Sequence, residues 1–211
     1  MFQHPAFTTA PVTQPANTFK ENTMSATALS TARVALVDRT TATGPVRTVL
    51  DQIHGAFGAT PHMFRAVANS PAALQSMWSA FGALGGGVIG AALGEQIAVA
   101  VANRNACDYC LAAHTALGRK AGVSGDDLAA AQSGESADPR TAAVLRFALQ
   151  LVNGRGQVDA ADVQALRGHG LSDEHIVEIV AHVALNLFTN YVNVALAVPV
   201  DFPGVKLRPA R

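Results

Sequence analysis

The sequence predicts an all-α fold, and three observations carry that prediction. From Pro45 to Val198, apolar residues recur at the three- and four-residue spacing of a helix face. Helix starts and stops punctuate the pattern, with Ser, Asp or Pro ahead of each apolar run and Gly or Pro behind it. No segment alternates apolar and polar residues as a half-buried strand would, and no fixed-period repeat is present.

Residues 1–30 read as a flexible extension, because Pro5, Pro11 and Pro15 interrupt any regular element and the Thr, Ala and Ser content buries little. Met24 offers an alternative start. Residues 31–211 read as one helical domain, with the apolar run Val34 to Val37 expected to dock on its body. In the first helix, from Pro45, Val46, Val49, Leu50, Ile53 and Phe57 form one face, and Gly55 and Gly58 close it. Pro61 suits the first turn of a short helix to Ala68, and Asn69-Ser70-Pro71 ends it and starts the next. There Leu74, Met77, Trp78, Phe81 and Leu84 point one way until Gly85-Gly86-Gly87. Phe57, Phe64, Trp78 and Phe81 read as core rather than as a substrate box.

Helices are expected over Val88 to Asn103 and over Ala106 to Ala121, the second closed by Gly122. Ser124 caps a short helix to Gln132, and Asp138-Pro139 opens one reaching Val152, with Val144, Leu145, Ala148, Leu149 and Val152 inward. Ala160 to Arg167 is a short helix closed by Gly168 and Gly170. Ser172 with His175 starts the last and longest, which runs to Val198 and stops at Pro199.

Composition excludes several function classes. Lys plus Arg and Asp plus Glu are both 15, so the formal net charge is zero. A nucleic-acid binder would need a basic face, and no basic run exists. The most apolar stretch, Phe81 to Ala102, is broken by Glu95 and Gln96 and thinned by Gly82, Gly85, Gly86, Gly87 and Gly90, whereas a membrane span wants about 20 nearly uncharged residues. The start of the chain has no apolar leader segment, so a cytoplasmic protein is expected. There a cysteine pair is catalytic or metal-binding rather than a permanent staple. With 49% hydrophobic and 14% charged residues, the chain has apolar surface for an oligomer interface or for an Ala-rich core.

The chemistry gathers in the segment from Glu95 to His114, where Cys107 and Cys110 form a C-x-x-C followed four residues later by His114. Asn105 is the expected N-cap, with Asp108 in the acidic third helical position. Residues 107, 110 and 114 then share one helix face. Cysteines three apart at a helix start approach closely enough to form a disulfide, and the helix N-terminus favours thiolate over thiol. His114 can hold or pass a proton on that face, and Glu95, in an apolar helix, suits a proton acceptor. Thiolate, neighbouring thiol and proton relay together suit peroxide reduction or disulfide exchange.

Other readings of the pair stay open. A structural zinc would need two further ligands beside Cys107 and Cys110. Haem attachment needs His directly after the second Cys, where this chain has Leu111, and an iron–sulfur cluster usually takes more thiolates. Two inert cysteines packed as small hydrophobes are the remaining choice. On the last helix, His182, Asn186 and Asn190 stripe one face. They read as facing a neighbouring helix or water, with a pocket or subunit contact as the alternative. His54 and His62 carry little weight.

The segment resembles the alkylhydroperoxidase D-like group of the carboxymuconolactone decarboxylase superfamily, whose signature is Glu, an apolar helix with Asn near its end, then C-x-x-C-x-x-x-H. Glu95, Asn103 or Asn105, Cys107, Cys110 and His114 match it in type and order, with twelve residues from Glu95 to Cys107. Gly58-x-x-Pro61, Ser70-Pro71 and Gly170-Leu171-Ser172-Asp173 resemble the family's outer elements, so the likeness spans roughly residues 45 to 200. The resemblance implies an oligomeric helical bundle, trimer or hexamer, with no bound cofactor. It implies Cys110 as the peroxidatic thiol, Cys107 as the resolving thiol, and Glu95 with His114 as the relay. A dithiol, either a lipoyl protein or a small thiol, would be the reductant of a small-molecule peroxidase. One position departs: alkylhydroperoxidase D has a His just before the second cysteine, where this chain has Tyr109, so the proton network is expected to differ. Two alternatives come from other classes. One is a lactone decarboxylase or isomerase of the same superfamily. The other is a non-enzymatic helical oligomer binding a metal or a partner.

Overall fold

The computed structural model describes residues 32–209, so the expected extension over residues 1–30, with Met24, lies outside the described residues. Among the described residues there are nine α-helices and no strand. They are α1 (Gly44–Phe57), α2 (His62–Val67), α3 (Pro71–Gly85), α4 (Ala91–Arg104), α5 (Asp108–Lys120), α6 (Gly125–Ala131), α7 (Pro139–Asn153), α8 (Ala160–Gly168) and α9 (Asp173–Ala195). None of them is long and apolar enough to cross a membrane.

Local chemistry sets most of the boundaries. The side chains of Ser70, Ser124, Asp138 and Ser172 accept the backbone N–H groups of Ala73, Asp127, Thr141 and His175 at the starts of α3, α6, α7 and α9. Gly58, at φ 74°, closes α1 by donating to the His54 carbonyl, a conformation glycine adopts without a Cβ clash.

Helix α4 is the hub. It packs against α5, α6, α7 and α9, while α1, α2 and α3 form a layer reaching α9 through α2 and α3. Ile97, Ala98, Val99, Ala100, Val101 and Ala102 are buried, and the three alanines among them let neighbouring helices approach closely. Leu50 and Ile53 of α1 and Leu74 and Met77 of α3 are also fully buried, each stabilising the fold by about 1.5–3 kcal/mol. Val34, Leu36 and Val37 dock on this core as expected.

Three boundaries differ from the expectation by two residues or more. Helix α4 begins at Ala91, not Val88, because Gly90 holds φ 72° and ψ 161°, which no helix tolerates. Helix α9 ends at Ala195, not Val198, because Ala197 turns to φ 49° and the Val198 N–H closes back on the Asn193 carbonyl. Helix α5 begins at Asp108, and its N-cap is Cys107, not Asn105. The cause is the α4–α5 joint. There the Asn105 and Cys107 N–H groups bond the carbonyls of Val101 and Ala102 at 3.0 Å, so Asn105 belongs to the end of α4. Ala106 takes φ 52° to make that joint, a left-handed conformation costing an L-residue about 1 kcal/mol.

The last described residues return across the α4–α5 joint. The Asn103 amide accepts from the Arg208 N–H at 2.9 Å and donates to its carbonyl at 3.3 Å. Asp201 accepts from the His62 N–H at 2.8 Å, which seats Phe202 edge-on against Tyr109 at 5.7 Å between ring centres.

Candidate functional site

The four residues singled out in the sequence meet at the facing surfaces of α4 and α5. Cys107 and Cys110 are joined in a disulfide with Cα atoms 5.3 Å apart. This bond lies within one turn and ties no two elements together, which suits a reacting pair better than a staple. The Cys107 Sγ also accepts the Cys110 N–H at 3.2 Å, so the sulfur itself is the helix cap. Backbone N–H donation of this kind favours a thiolate over a thiol.

One turn on from Cys110, His114 Nδ1 donates to Glu95 Oε2 across the two helices at 2.8 Å. That bond fixes the tautomer and leaves Nε2 to take or give a proton. The helices approach closely here because Gly118 has no Cβ, which would meet Leu128 at 2.7 Å and the Cβ of Glu95 at 3.5 Å. Both cysteines are buried, Cys107 at 1% and Cys110 at 2% exposure, but they are not equivalent. Cys110 lines a cavity of about 40 Å³ and Cys107 does not.

That cavity is walled by Phe57, Phe64, Phe81, Leu117 and Phe202, with Cys110 and His114 at its polar end. It has room for about three water-sized groups. The aromatic cluster read as core is therefore core and wall at once. Phe64 stands edge-on to Trp78 and Phe81, while Phe57 and Phe81 turn a side to the cavity. Burial pushes the Tyr109 phenol well above its ordinary range, and the Asp201 carboxylate beside it adds to this. Its hydroxyl accepts the Met63 N–H at 3.2 Å, so Tyr109 is neutral and tied to the backbone of α2.

A second cavity of about 180 Å³ lies on the other side of His114, lined by Glu95, His114, His182, Asn186, Leu84 and Leu185 among others. The His182 ring packs against Gly94, where a Cβ would lie 3.2 Å from its Cε1. Burial holds the His182 imidazole below the ordinary histidine range, against the pull of the Glu178 and Glu95 carboxylates. The polar stripe of α9 thus faces inward. Asn186 and Asn190 are buried, and Asn190 accepts from the Asn105 amide at 2.9 Å. Of the two motif asparagines, Asn103 pins the chain's last described residues and Asn105 ties the joint to α9.

The sequence reading passed over Asn193. Its Nδ2 donates to Cys110 Sγ at 3.3 Å across 83 residues of sequence. The available signal was an asparagine one turn beyond Asn190 inside an apolar run. His54 and His62 lie outside the site: His54 meets Thr60, and His62 donates to the Pro199 carbonyl at 3.1 Å. No group of three or more His, Cys, Asp or Glu side chains gathers as a metal cluster among the described residues.

Comparison with known proteins agrees with this geometry. Residues 71–150 match the carboxymuconolactone decarboxylase family. No curated protein matches the chain. Among solved structures, the alkylhydroperoxidase AhpD core of an uncharacterized peroxidase-related protein from Ralstonia eutropha is 27% identical. It matches with a TM-score of 0.71 over 81% of this chain and 93% of its own. An uncharacterized peroxidase-related protein from a Silicibacter species shares the fold at 23% identity, with a TM-score of 0.68 over 83% of this chain and 92% of its own. The debrominase Bmp8, in complex with 2,3,4-tribromopyrrole, shares it at 19% identity, with a TM-score of 0.63 over 74% of this chain and 85% of its own.

Proposed function

We propose that the chain is a thiol-dependent peroxidase of organic hydroperoxides, of the alkylhydroperoxidase D-like kind that its fold and residues 71–150 resemble. The observation that carries the proposal is a disulfide whose Cys110 half opens into an apolar cavity beside His114, itself held on Glu95.

In the reduced protein, His114 Nε2 takes the proton of the Cys110 thiol while its Nδ1–H stays on Glu95. The Cys110 thiolate attacks the terminal oxygen of the hydroperoxide and the O–O bond breaks. Cys110 becomes a sulfenic acid, and the alkoxide leaves as an alcohol with the proton returned by His114. The Cys107 sulfur then attacks Cys110 Sγ, and water departs with the Cys107 proton. The disulfide results. Two electrons from a dithiol, such as a lipoyl protein or a small thiol, restore the pair.

A homo-oligomer, trimer or hexamer, is part of this reading. Val177, Val180, Phe188, Tyr191 and Val194 stand exposed on α9, a concentration of apolar surface suited to a subunit contact.

With a dithiol present, the protein is expected to consume cumene hydroperoxide catalytically. A small alkyl hydroperoxide such as tert-butyl hydroperoxide should be consumed with the higher kcat/KM, since the cavity has apolar walls and room for about three water-sized groups. Absence of turnover with every hydroperoxide would remove the proposal. A lactone decarboxylation would need only the Glu95–His114 couple. Activity on a muconolactone in a variant lacking both cysteines would replace the peroxidase reading.

A further inference from the structure

We infer that Asn193 positions the hydroperoxide, its side-chain oxygen accepting the terminal O–H while its nitrogen holds the Cys110 sulfur. The inference rests on the peroxidase reading and adds to it the group that selects the attacked oxygen.

Cys110 is in a disulfide, so its sulfur has no hydrogen to give and only accepts. The Asn193 amide therefore presents its NH₂ to Cys110, at 3.3 Å, and turns its oxygen away. Asn193 is 4% exposed and lines the cavity, and its Oδ1 is buried without a hydrogen-bond partner among the described residues. A buried acceptor left unpaired is unfavourable, and a bound donor would relieve it.

The other polar side chains of the cavity are committed. Thr189 Oγ1 donates to the Asn186 carbonyl at 3.0 Å, and the Tyr109 hydroxyl accepts from Met63. His114 Nδ1 is on Glu95, and once Nε2 has taken the Cys110 proton it donates and no longer accepts. Asn193 Oδ1 is then the cavity's acceptor with no partner at all among the described residues, and His114 Nε2–H is a donor from the same cavity lining. A hydroperoxide, R–O–O–H, is complementary to that pair. Its terminal oxygen carries the hydrogen Asn193 accepts, and its inner oxygen accepts the proton His114 gives. Held so, the terminal oxygen is the one offered to Cys110. After the O–O bond breaks, the sulfenic acid O–H keeps the same bond to Asn193 until Cys107 displaces water.

The test uses the full chain carrying Cys107→Ser, so that Cys110 reacts alone and once. Two rate constants are measured at the same pH: reaction with cumene hydroperoxide, followed by dimedone trapping of the sulfenic acid, and alkylation by iodoacetamide. Both need the thiolate, but only the hydroperoxide has an O–H to place, so their ratio cancels changes in ionisation. Asn193→Leu is expected to lower the ratio about tenfold, the worth of one well-made hydrogen bond. Asn193→Asp keeps the acceptor oxygen, so it should slow both reactions and leave the ratio near that of the parent. This second variant decides the matter if the leucine variant does not fold. An unchanged ratio in Asn193→Leu, or a ratio that collapses in Asn193→Asp, overturns the role of Asn193. A parent that alkylates but never yields a trapped sulfenic acid overturns instead the peroxidase reading beneath it.

Discussion

Replacing Cys110 with serine is expected to remove hydroperoxide turnover, a loss of about a thousandfold or more. Serine at this position keeps the shape of α5 but offers a hydroxyl that does not ionise in the working range, and no sulfur to carry a sulfenic acid. Cys107→Ser is expected to behave differently. Cys107 caps α5 and does not line the cavity that Cys110 lines, so its loss should leave the first oxidation intact. The reaction then stalls at a sulfenic acid on Cys110, and steady turnover with a dithiol falls while dimedone labelling rises. Single-turnover mass spectrometry of the two variants separates the roles. Retained turnover in Cys110→Ser, or a sulfenic acid found on Cys107, would reverse the assignment.

The second large effect is expected at Glu95. Its carboxylate holds His114 Nδ1 at 2.8 Å and so leaves Nε2 as the nitrogen that exchanges a proton. Glu95→Gln keeps volume and a hydrogen-bond acceptor but removes the charge that stabilises a protonated His114 after it has taken the Cys110 proton. General acid–base catalysis of this kind is worth about 10²–10⁴-fold, and the glutamine variant is expected to lose about a hundredfold in kcat/KM. Iodoacetamide alkylation of Cys110 should fall as well, because it needs the same thiolate, but by a smaller factor, since that reaction needs no proton returned to a leaving group. The Glu95 side chain is 22% exposed, so the exchange does not bury an unpaired group. A Glu95→Gln enzyme with full kcat/KM and an unaltered pH profile would show that His114 works without it.

The parts of the molecule that were legible in its sequence are those set by near neighbours. Ser70, Ser124, Asp138 and Ser172 announce their helices because an N-cap is written within three residues of the bond it makes. Glu95, Cys107, Cys110 and His114 could be grouped because helical spacing and one tight joint between α4 and α5 bring twenty consecutive residues together. The cap itself was misplaced. Asn105 has the stronger capping side chain, yet the Cys107 N–H closes α4 on Ala102, and Ala106 turns left-handed to let it. That choice belongs to the packing of two helices, and residue preference does not contain it.

What distance in sequence hides was not legible. Asn193 reaches Cys110 only because α9 lies against α5, and the cavity depends on Phe57, Phe81 and Phe202 arriving from three separate elements. Aromatic residues at helical spacing read the same whether they fill a core or wall a pocket. Phe57 and Phe81 do both. The inward turn of the stripe from His182 to Asn190 was likewise undetermined, since spacing of four fixes a common face and not its direction.

The central claim is that Cys107 and Cys110 are one redox couple driven by hydroperoxide. Intact mass of the fully reduced chain before and after about one equivalent of cumene hydroperoxide tests it directly, since a resolved sulfenic acid must end as a disulfide. The account predicts loss of two hydrogens, both thiols becoming inaccessible to alkylation together, and full reversal by a dithiol. Two thiols still free after the peroxide is added, or a stable gain of oxygen with no disulfide, would contradict it.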